Sequence, residues 1–443
     1  MPMHPLQHIA MLSVHTCPLA TLGGKETGGM NVYVRELARE LGNRRLAVDV
    51  FTRSQDARIK RISTRLGNAV RVIHLPAGPE QPYNKNEIYH HLSEFVDGVR
   101  RFAAAEGITY DILHSHYWLS GLAAHDLRES WGAPIVHMFH TLAELKNQVA
   151  ATPAELEPPL RSACEGEIMR FASAIIAATT LERDQMVDLY GADPARIHVV
   201  PPGVDLDLFR PVPCQQARDA IGVPPEHQMV LFVGRIQPIK GIDALIRALA
   251  MLLSKRPHLA GKLCVCIIGG AGDPAADDEL ARLQALEREL GIDDRVTFLG
   301  SRDQDTLVNY YNAATMVVVP SHYESFGMVA LEAMACATPV IASDVGGLSL
   351  NIADGFNGYL VPKGDVSELA YKMELLLEHE TLRGQLGSQA CHWAQRFSWQ
   401  NIADETLATY ALAMGRPESD LSPYLSPGRG GNAQLPQVER ECP

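Results

Sequence analysis

Short runs of apolar, largely β-branched residues alternate along this chain with longer stretches whose apolar positions recur at helical spacing. The first series of runs is Ile9–His15, Val48–Thr52, Val70–Leu75, Ile112–His116, Ile135–His140, Ala174–Ala178 and Ile197–Val200. Continuous apolar strands with helices between them predict a parallel sheet covered on both faces, that is, one doubly wound α/β unit. A second series begins at Met229 and continues through Leu263–Ile268, Val296–Leu299, Met316–Val319, Val340–Ala342 and Tyr359–Val361, predicting a second unit of the same kind. Between them lies Pro201-Pro-Gly-Val-Asp-Leu-Asp-Leu-Phe-Arg-Pro211, whose prolines resist both helix and central strand. The expected domains are therefore 1–205 and 206–396. Phe397-Ser-Trp-Gln-Asn-Ile-Ala then starts a helix over 397–414 capped by Ser398, and residues 416–443, rich in Gly, Pro and polar side chains, read as a disordered tail.

Length and composition fit this picture. At 443 residues, with 46% hydrophobic and 21% charged residues, the chain has enough apolar mass for two sizeable cores. No apolar run approaches the roughly eighteen residues of a membrane span, and the N-terminus lacks the layout of a secretion signal, so a cytoplasmic protein is expected. The eight cysteines show no metal-binding spacing and are expected to stay reduced. A net charge of −13 argues against nucleic acid as a partner, and makes any locally basic recess telling for a small anion.

The most informative stretch is Ser321-His-Tyr-Glu-Ser-Phe-Gly-Met-Val-Ala-Leu-Glu332, which follows the apolar strand Met316–Val319. Its turn and helix start would present free N–H groups at the carboxyl end of a parallel strand, a place suited to a diphosphate. Glu324 at the strand tip and Glu332 two turns into the helix are good acceptors for vicinal hydroxyls, one for a ribose and one for a transferred sugar. The plainer alternative makes them a helix-start charge and a solvated helix face. Upstream, Val230-Leu-Phe-Val-Gly-Arg-Ile-Gln-Pro-Ile-Lys-Gly241 repeats the strand, loop and helix pattern and places Arg235 and Lys240 just past the strand. Two fixed cations there would stabilise the charge growing on a leaving diphosphate.

With these two segments the chain resembles the retaining glycosyltransferases of family 4, nucleotide-sugar-dependent enzymes of the GT-B fold, in which two Rossmann-like domains face a cleft. The likeness runs from about residue 8 to about residue 414. Within the family it is to the D-inositol 3-phosphate glycosyltransferases of mycothiol synthesis, with bacterial sucrose-phosphate synthases as relatives. The resemblance implies that the helix after Phe397 crosses back onto the first domain. It implies that the glycine-bearing loop His15 to Asn31 touches both substrates, with His15, Glu26, Thr27, Gly28, Gly29, Met30 and Asn31 by the acceptor and Thr21, Leu22 and Gly29 by the donor. Lys85, Tyr117, Thr141 and Arg161 fit the family pattern for holding an acceptor phosphate, a set whose charges and hydroxyls are chemically coherent. His116 would meet the transferred sugar. His140 ends a strand beside it, on the acceptor side.

For the donor, the resemblance implies that Arg235, Lys240 and the backbone of Ser325, Phe326 and Gly327 hold the diphosphate, Glu332 the ribose, Glu324 the sugar, with Arg302 assisting at the nucleotide. His116, Arg235, Lys240 and Glu324 form the expected catalytic set. The expected reaction transfers a sugar, N-acetylglucosamine foremost, from a UDP-sugar to a phosphorylated polyol such as inositol phosphate. Sucrose-phosphate synthesis from UDP-glucose and fructose 6-phosphate, or nucleotide-sugar sensing without turnover, are the alternatives, and a homodimer is compatible with any of them. No cofactor is required by this chemistry. Relatives imply a structural magnesium near Tyr311, Asn312, Ala314 and Thr338, with Asn312 where an Arg is common. Asp205-Leu-Asp207 has the form of a metal-binding DxD pair, yet its proline-bounded setting favours a structural role. Ile267-Ile-Gly-Gly-Ala-Gly-Asp273 lacks the full dinucleotide spacing and reads as a close backbone approach to the donor. Ala335-Cys-Ala-Thr338 departs from the usual small-Gly-Thr sequence, a change expected to affect packing rather than ligands.

Overall fold

The computed structural model describes residues 6–20, 27–150, 152–270 and 277–426. The chain divides into two compact units. Of the described residues, one gathers 6–20, Gly29–Pro202 and 399–426, and the other holds Gly203–Ser398 with Thr27 and Gly28.

Strands of the first unit are β1 (His8–Leu12), β2 (Ala47–Arg53), β3 (Ile62–Ser63), β4 (Val70–Leu75), β5 (Ile112–His116), β6 (Ile135–Met138), β7 (Ala174–Ala177) and β8 (Ile197–Val199). They form one sheet in the order β3-β4-β2-β1-β5-β6-β7-β8, parallel except where β3 pairs antiparallel with β4. The second unit holds β9 (Gln228–Val233), β10 (Leu263–Ile268), β11 (Val296–Gly300), β12 (Met316–Val319), β13 (Val340–Ser343) and β14 (Tyr359–Val361), all parallel in the order β11-β10-β9-β12-β13-β14. Both are Rossmann-like α/β sheets, as the alternating pattern predicts. The apolar runs become strands because helices cover both faces. Val230, Val265, Val318 and Ile341 are buried together with Leu245, Leu249, Leu376 and Met373 from the flanking helices.

Each sheet reverses its direction of growth beside its first strand, and these switch points are where open α/β sheets bind ligands. In the first sheet the switch lies between β1 and β5, and in the second between β9 and β12.

Two expectations are corrected. His15 and His140 lie beyond the strands that they were expected to end, since β1 stops at Leu12 and β6 at Met138. Of the tail expected over 416–443, residues 416–426 are ordered: Glu418–Tyr424 form 3-10 turns, the Tyr424 hydroxyl donates to the Leu6 carbonyl at 2.8 Å, and Arg44 donates to the Tyr424 carbonyl at 3.1 Å, while 427–443 lie outside the described residues. The two-residue β3, too short to carry a pattern, was not expected. The helix after Ser398 spans Trp399–Ala413 and packs within the first unit, where the Tyr410 hydroxyl meets His114 Nδ1 at 2.7 Å. Among the described residues no helix is long and apolar enough to cross a membrane.

Candidate functional site

In the second unit the loops after β9 and β12 meet at the switch point. Gln237 to Gly241 closes a 3-10 turn after β9, and the His322 N–H donates to the Ile239 carbonyl at 2.8 Å, tying the two loops together. Gly241 sits where a Cβ would be 2.1 Å from the Pro320 carbonyl oxygen, so no larger residue fits. The clamp places the Lys240 ammonium on the Glu324 carboxylate, with 17% and 19% of the two side chains exposed. Arg235 lies in the same loop, and Gly28 is near it, a Cβ there coming 3.9 Å from Arg235 Nε. Gly28, expected by the acceptor, thus stands beside a cation of the donor set.

Ser325, Phe326 and Gly327 lead into the helix Met328–Ala335, with Gly327 in the left-handed region at φ 93°. A support that the sequence reading missed braces this turn: the Gly347 N–H donates to the Glu324 carbonyl at 2.9 Å, and a Cβ on Gly346 would lie 1.9 Å from that same oxygen. The paired glycines after the β13 run were the available signal. Glu332 is buried; it accepts the Tyr311 hydroxyl at 2.7 Å and Gln304 Nε2 at 3.2 Å, so its carboxylate is oriented from two sides. Burial, followed by the charge of Glu332, raises the Tyr311 phenol well above its ordinary pKa. Arg302, two residues past β11, donates to the Ser301 carbonyl at 2.9 Å.

Tyr311, Asn312, Ala314 and Thr338 do come together. The Thr338 hydroxyl donates to the Tyr311 carbonyl at 2.7 Å, the Ala314 N–H reaches that carbonyl at 3.2 Å, and the Asn312 side chain bonds Val212, Arg210 and Val308. These oxygens are of the kind a hard cation accepts. Among the described residues no cluster of three His, Cys, Asp or Glu is placed to hold a metal. Asp205 Oδ1 accepts the N–H groups of Asp207 and Leu208, both at 3.0 Å, and so closes a turn of the linker. Of the glycine run after β10, Gly269 packs so that a Cβ would lie 1.7 Å from the Gly234 carbonyl, and residues 271–276 lie outside the described residues.

In the first unit the switch point carries the acceptor-side positions. Gly29, Met30 and Asn31 form the first turn of the helix Gly29–Asn43, and Asn31 Nδ2 holds the preceding loop through Thr16 Oγ1 at 2.6 Å and the Cys17 carbonyl at 2.8 Å. Thr27 is described, whereas Thr21, Leu22 and Glu26 lie outside the described residues. His116 ends β5 and its Nδ1 meets His140 Nε2 at 3.0 Å; Tyr33 packs edge-on against both rings. Tyr117 and His140 both hold positive φ, 73° and 62°. Non-glycine residues in that region cost of order 1–3 kcal/mol each and concentrate at functional sites. His15 stacks obliquely on Tyr117 with ring centroids 4.3 Å apart. Burial holds His15, His114 and His140 down to about 3, so all three are neutral at ordinary pH; burial also lowers His116 and His137.

Arg161 is fully buried, with the guanidinium centre 4.7 Å from the Tyr117 ring. Its Nε donates to Glu165 Oε1 at 2.7 Å, one terminal nitrogen lies 3.0 Å from Glu157 Oε1, and the other donates to the Thr141 carbonyl at 2.7 Å and hydroxyl at 3.0 Å. Burial works against this charge, but Tyr117, Glu165 and Glu157 more than offset it and raise the pKa. Lys85 is close enough to act electrostatically on His15, Lys146 and Glu157. Lys85, Tyr117, Thr141 and Arg161 therefore belong to one neighbourhood. Lys146, Glu157 and Glu165 belong to it too and were missed. The four-residue spacing of Arg161 and Glu165 on the helix Pro159–Phe171 was a signal for Glu165, and none marked Lys146 or Glu157.

Residues 27–208 match the family described as Glycosyltransferase Family 4, and residues 215–393 match Glycosyl transferases group 1. The D-inositol 3-phosphate glycosyltransferase of Kribbella flavida is 42% identical over 92% of this chain and 96% of its own length. That of Mycolicibacterium smegmatis is 43% identical over 92% of both chains. The solved sucrose-phosphate synthase from Thermosynechococcus elongatus superposes with a TM-score of 0.84 at 34% identity, covering 92% of this chain and 99% of the other. HepE of Anabaena, solved with UDP and glucose, has a TM-score of 0.70 at 21% identity over 92% of this chain and 100% of that one, a likeness of fold.

Proposed function

The chain belongs to glycosyltransferase family 4 and is a hexosyltransferase, and from that premise we propose that it moves N-acetylglucosamine from UDP-N-acetylglucosamine to a hydroxyl of inositol phosphate, with retention at the anomeric carbon. The observation that carries this reading is the charge at the two switch points. Lys240 and Glu324 pair at the tips of β9 and β12 beside a helix start, while Lys85, Lys146 and Arg161 gather in the unit that holds β1 and β5.

In the proposed reaction the bond from the anomeric carbon to the UDP oxygen breaks and a bond to the acceptor oxygen forms on the same face. The acceptor proton passes to the departing β-phosphate. Arg235, Lys240 and the N–H groups at Ser325 to Gly327 stabilise the charge that grows there. Glu324 accepts from sugar hydroxyls, and Glu332, fixed by Tyr311 and Gln304, accepts from the ribose. Arg302 assists at the nucleotide, and neutral His116 orients the transferred sugar. Lys240 has two roles in this scheme: it holds Glu324 before the donor arrives and meets the diphosphate afterwards. Cations and helix N–H groups suffice for the diphosphate, so activity is expected to survive EDTA; loss on EDTA with recovery on Mn²⁺ would revive a metal-dependent reading.

Transfer from UDP-glucose to fructose 6-phosphate is a second reading, favoured by the 34% identity to a sucrose-phosphate synthase across 92% of the chain. UDP release measured over a panel of UDP-sugars and phosphorylated acceptors decides. The proposal expects UDP-N-acetylglucosamine with inositol 3-phosphate to give the highest kcat/KM. Preference for UDP-glucose with fructose 6-phosphate would replace it, and tight UDP-sugar binding without turnover on any acceptor would leave a binding protein.

A further inference from the structure

Lys146 and Glu157 stand in the middle of the acceptor-side positions. Lys146 lies on the helix Ala143–Val149, one turn past Thr141, with 26% of its side chain exposed. Its ammonium donates to Glu157 Oε1, and that same oxygen lies 3.0 Å from a terminal nitrogen of Arg161. The Glu157 N–H is fixed by Asn147 Oδ1 at 2.8 Å, and its side chain is 6% exposed. One carboxylate oxygen thus sits between two cations, with Lys85 near enough to act on it as well. Burial alone would raise this carboxyl, yet Arg161, Lys146 and Lys85 hold it at about 2, so it is ionised at any pH at which the protein works.

The neighbouring Glu165 has different surroundings. It accepts from Arg161 Nε at 2.7 Å, the Ala143 N–H at 2.9 Å and the Tyr190 hydroxyl at 2.6 Å, the saturated pattern of a structural carboxylate. Glu157 instead occupies donors on Lys146 and Arg161 that a phosphate would need. Counting Lys85, Lys146 and Arg161 as +3 and Glu157 and Glu165 as −2, the cluster carries +1.

We propose that Glu157 is a stand-in anion, which neutralises Lys146 and Arg161 while no acceptor is bound and is displaced from them by the acceptor's phosphate, with Lys146 as an additional phosphate-binding cation. This rests on the phosphorylated-acceptor reading. Glu165 stays on the buried guanidinium throughout the cycle, and the stand-in occupies the terminal nitrogen that would otherwise lack a partner in the interior. It also sets a threshold: a ligand must outbid a carboxylate already in place, which selects a phosphate monoester dianion over carboxylates and phosphodiesters.

The test is calorimetric titration of the full chain with inorganic phosphate at pH 8 and low salt, with UDP saturating so that the donor side is occupied. Glu157→Gln, which removes the competing charge, is expected to bind phosphate about tenfold tighter than the wild type and to lower the acceptor KM with the donor KM unchanged. Lys146→Met is expected to bind it about tenfold more weakly. Weaker or equal binding by Glu157→Gln would show a carboxylate that builds the site rather than holds its place, and would overturn the proposal. Should Glu157→Gln fail to fold, unchanged phosphate affinity in Lys146→Met overturns it independently. If the wild type binds UDP but no phosphate, the phosphorylated-acceptor reading falls, and this inference with it.

Discussion

In the second unit Lys240 and Glu324 face each other at loop tips with 17% and 19% of their side chains exposed, whereas in the first Arg161, Glu157 and Glu165 are sealed at 1%, 6% and 0%. The donor-side pair is held by backbone: the turn after β9, the His322 to Ile239 bond and the glycines at 346 and 347. The acceptor-side network is held by side chains that satisfy one another and by two strained residues, Tyr117 and His140. A half-buried pair at loop tips still meets solvent, contributes less to folding than a sealed one and is available to a ligand. A buried network cannot lose a member without leaving a charge unpaired. The same residue types should therefore fail in different ways on the two sides.

Arg161→Ala is expected to have the largest effect. It leaves buried Glu165 without its cation, while Glu157 keeps Lys146, and should destabilise the protein by about 3–5 kcal/mol, seen as a large fall in the denaturant midpoint. From sequence alone the same substitution would raise the acceptor KM by roughly ten- to a hundredfold; the burial of Arg161 turns that kinetic expectation into a folding one. Unchanged stability would mean that Glu165 finds another partner and that the contrast between the units is wrong.

Lys240→Ala should do the reverse. Turnover is expected to fall by about 10²–10³, the loss for one preorganised charge-stabilising donor, while stability shifts by less than about 1 kcal/mol. Arg235→Ala should follow the same pattern. Near-normal turnover in both would remove these cations from the donor role.

Acid sharpens the comparison further, because among the described residues the histidines with lowered pKa all lie in the first unit. His15, His114 and His140 titrate near 3 when folded and near 6.5 when unfolded. Between these values the unfolded chain binds more protons, so stability falls as pH drops below about 6.5, by up to about 1.4 kcal/mol per unit for each histidine. Denaturant midpoints that stay level from pH 8 to pH 5 would contradict the buried neutral cluster.

The smallest effect concerns the departure at Ala337. This residue follows the helix Met328–Ala335 and its Cys336 cap in the left-handed region, φ 58°, a conformation that favours glycine. Ala337→Gly should stabilise by about 1 kcal/mol through relief of that strain, with turnover unchanged, measurable as a small rise in Tm.

Much of this was legible in the chain. Both strand series and the positions of Arg235, Lys240, Glu324 and His116 follow from short-range patterns, because a parallel strand, its loop and the next helix are contiguous in sequence. The network around Arg161 was less legible. Lys146 comes from one helix and Glu157 from the approach to another, and no periodicity announces a polar side chain turned inward. Tyr33, packed on His116, His140 and Trp399, reads as an ordinary helix-face aromatic until the strands bring those partners to it. The braces at Gly346 and Gly347 escaped for the same reason: the carbonyl that they accommodate belongs to Glu324, in a different loop.

The central claim, that the first unit's clustered cations exist to receive a phosphate, is tested most directly by the wild-type ratio of kcat/KM for inositol 3-phosphate over inositol, with UDP-N-acetylglucosamine saturating and UDP release as the readout. Two or more charge-assisted contacts of about 1.5–3 kcal/mol each predict a ratio of at least about 10². A ratio near one would show that Lys85, Lys146 and Arg161 are scaffold, and that the acceptor is recognised by something other than its phosphate.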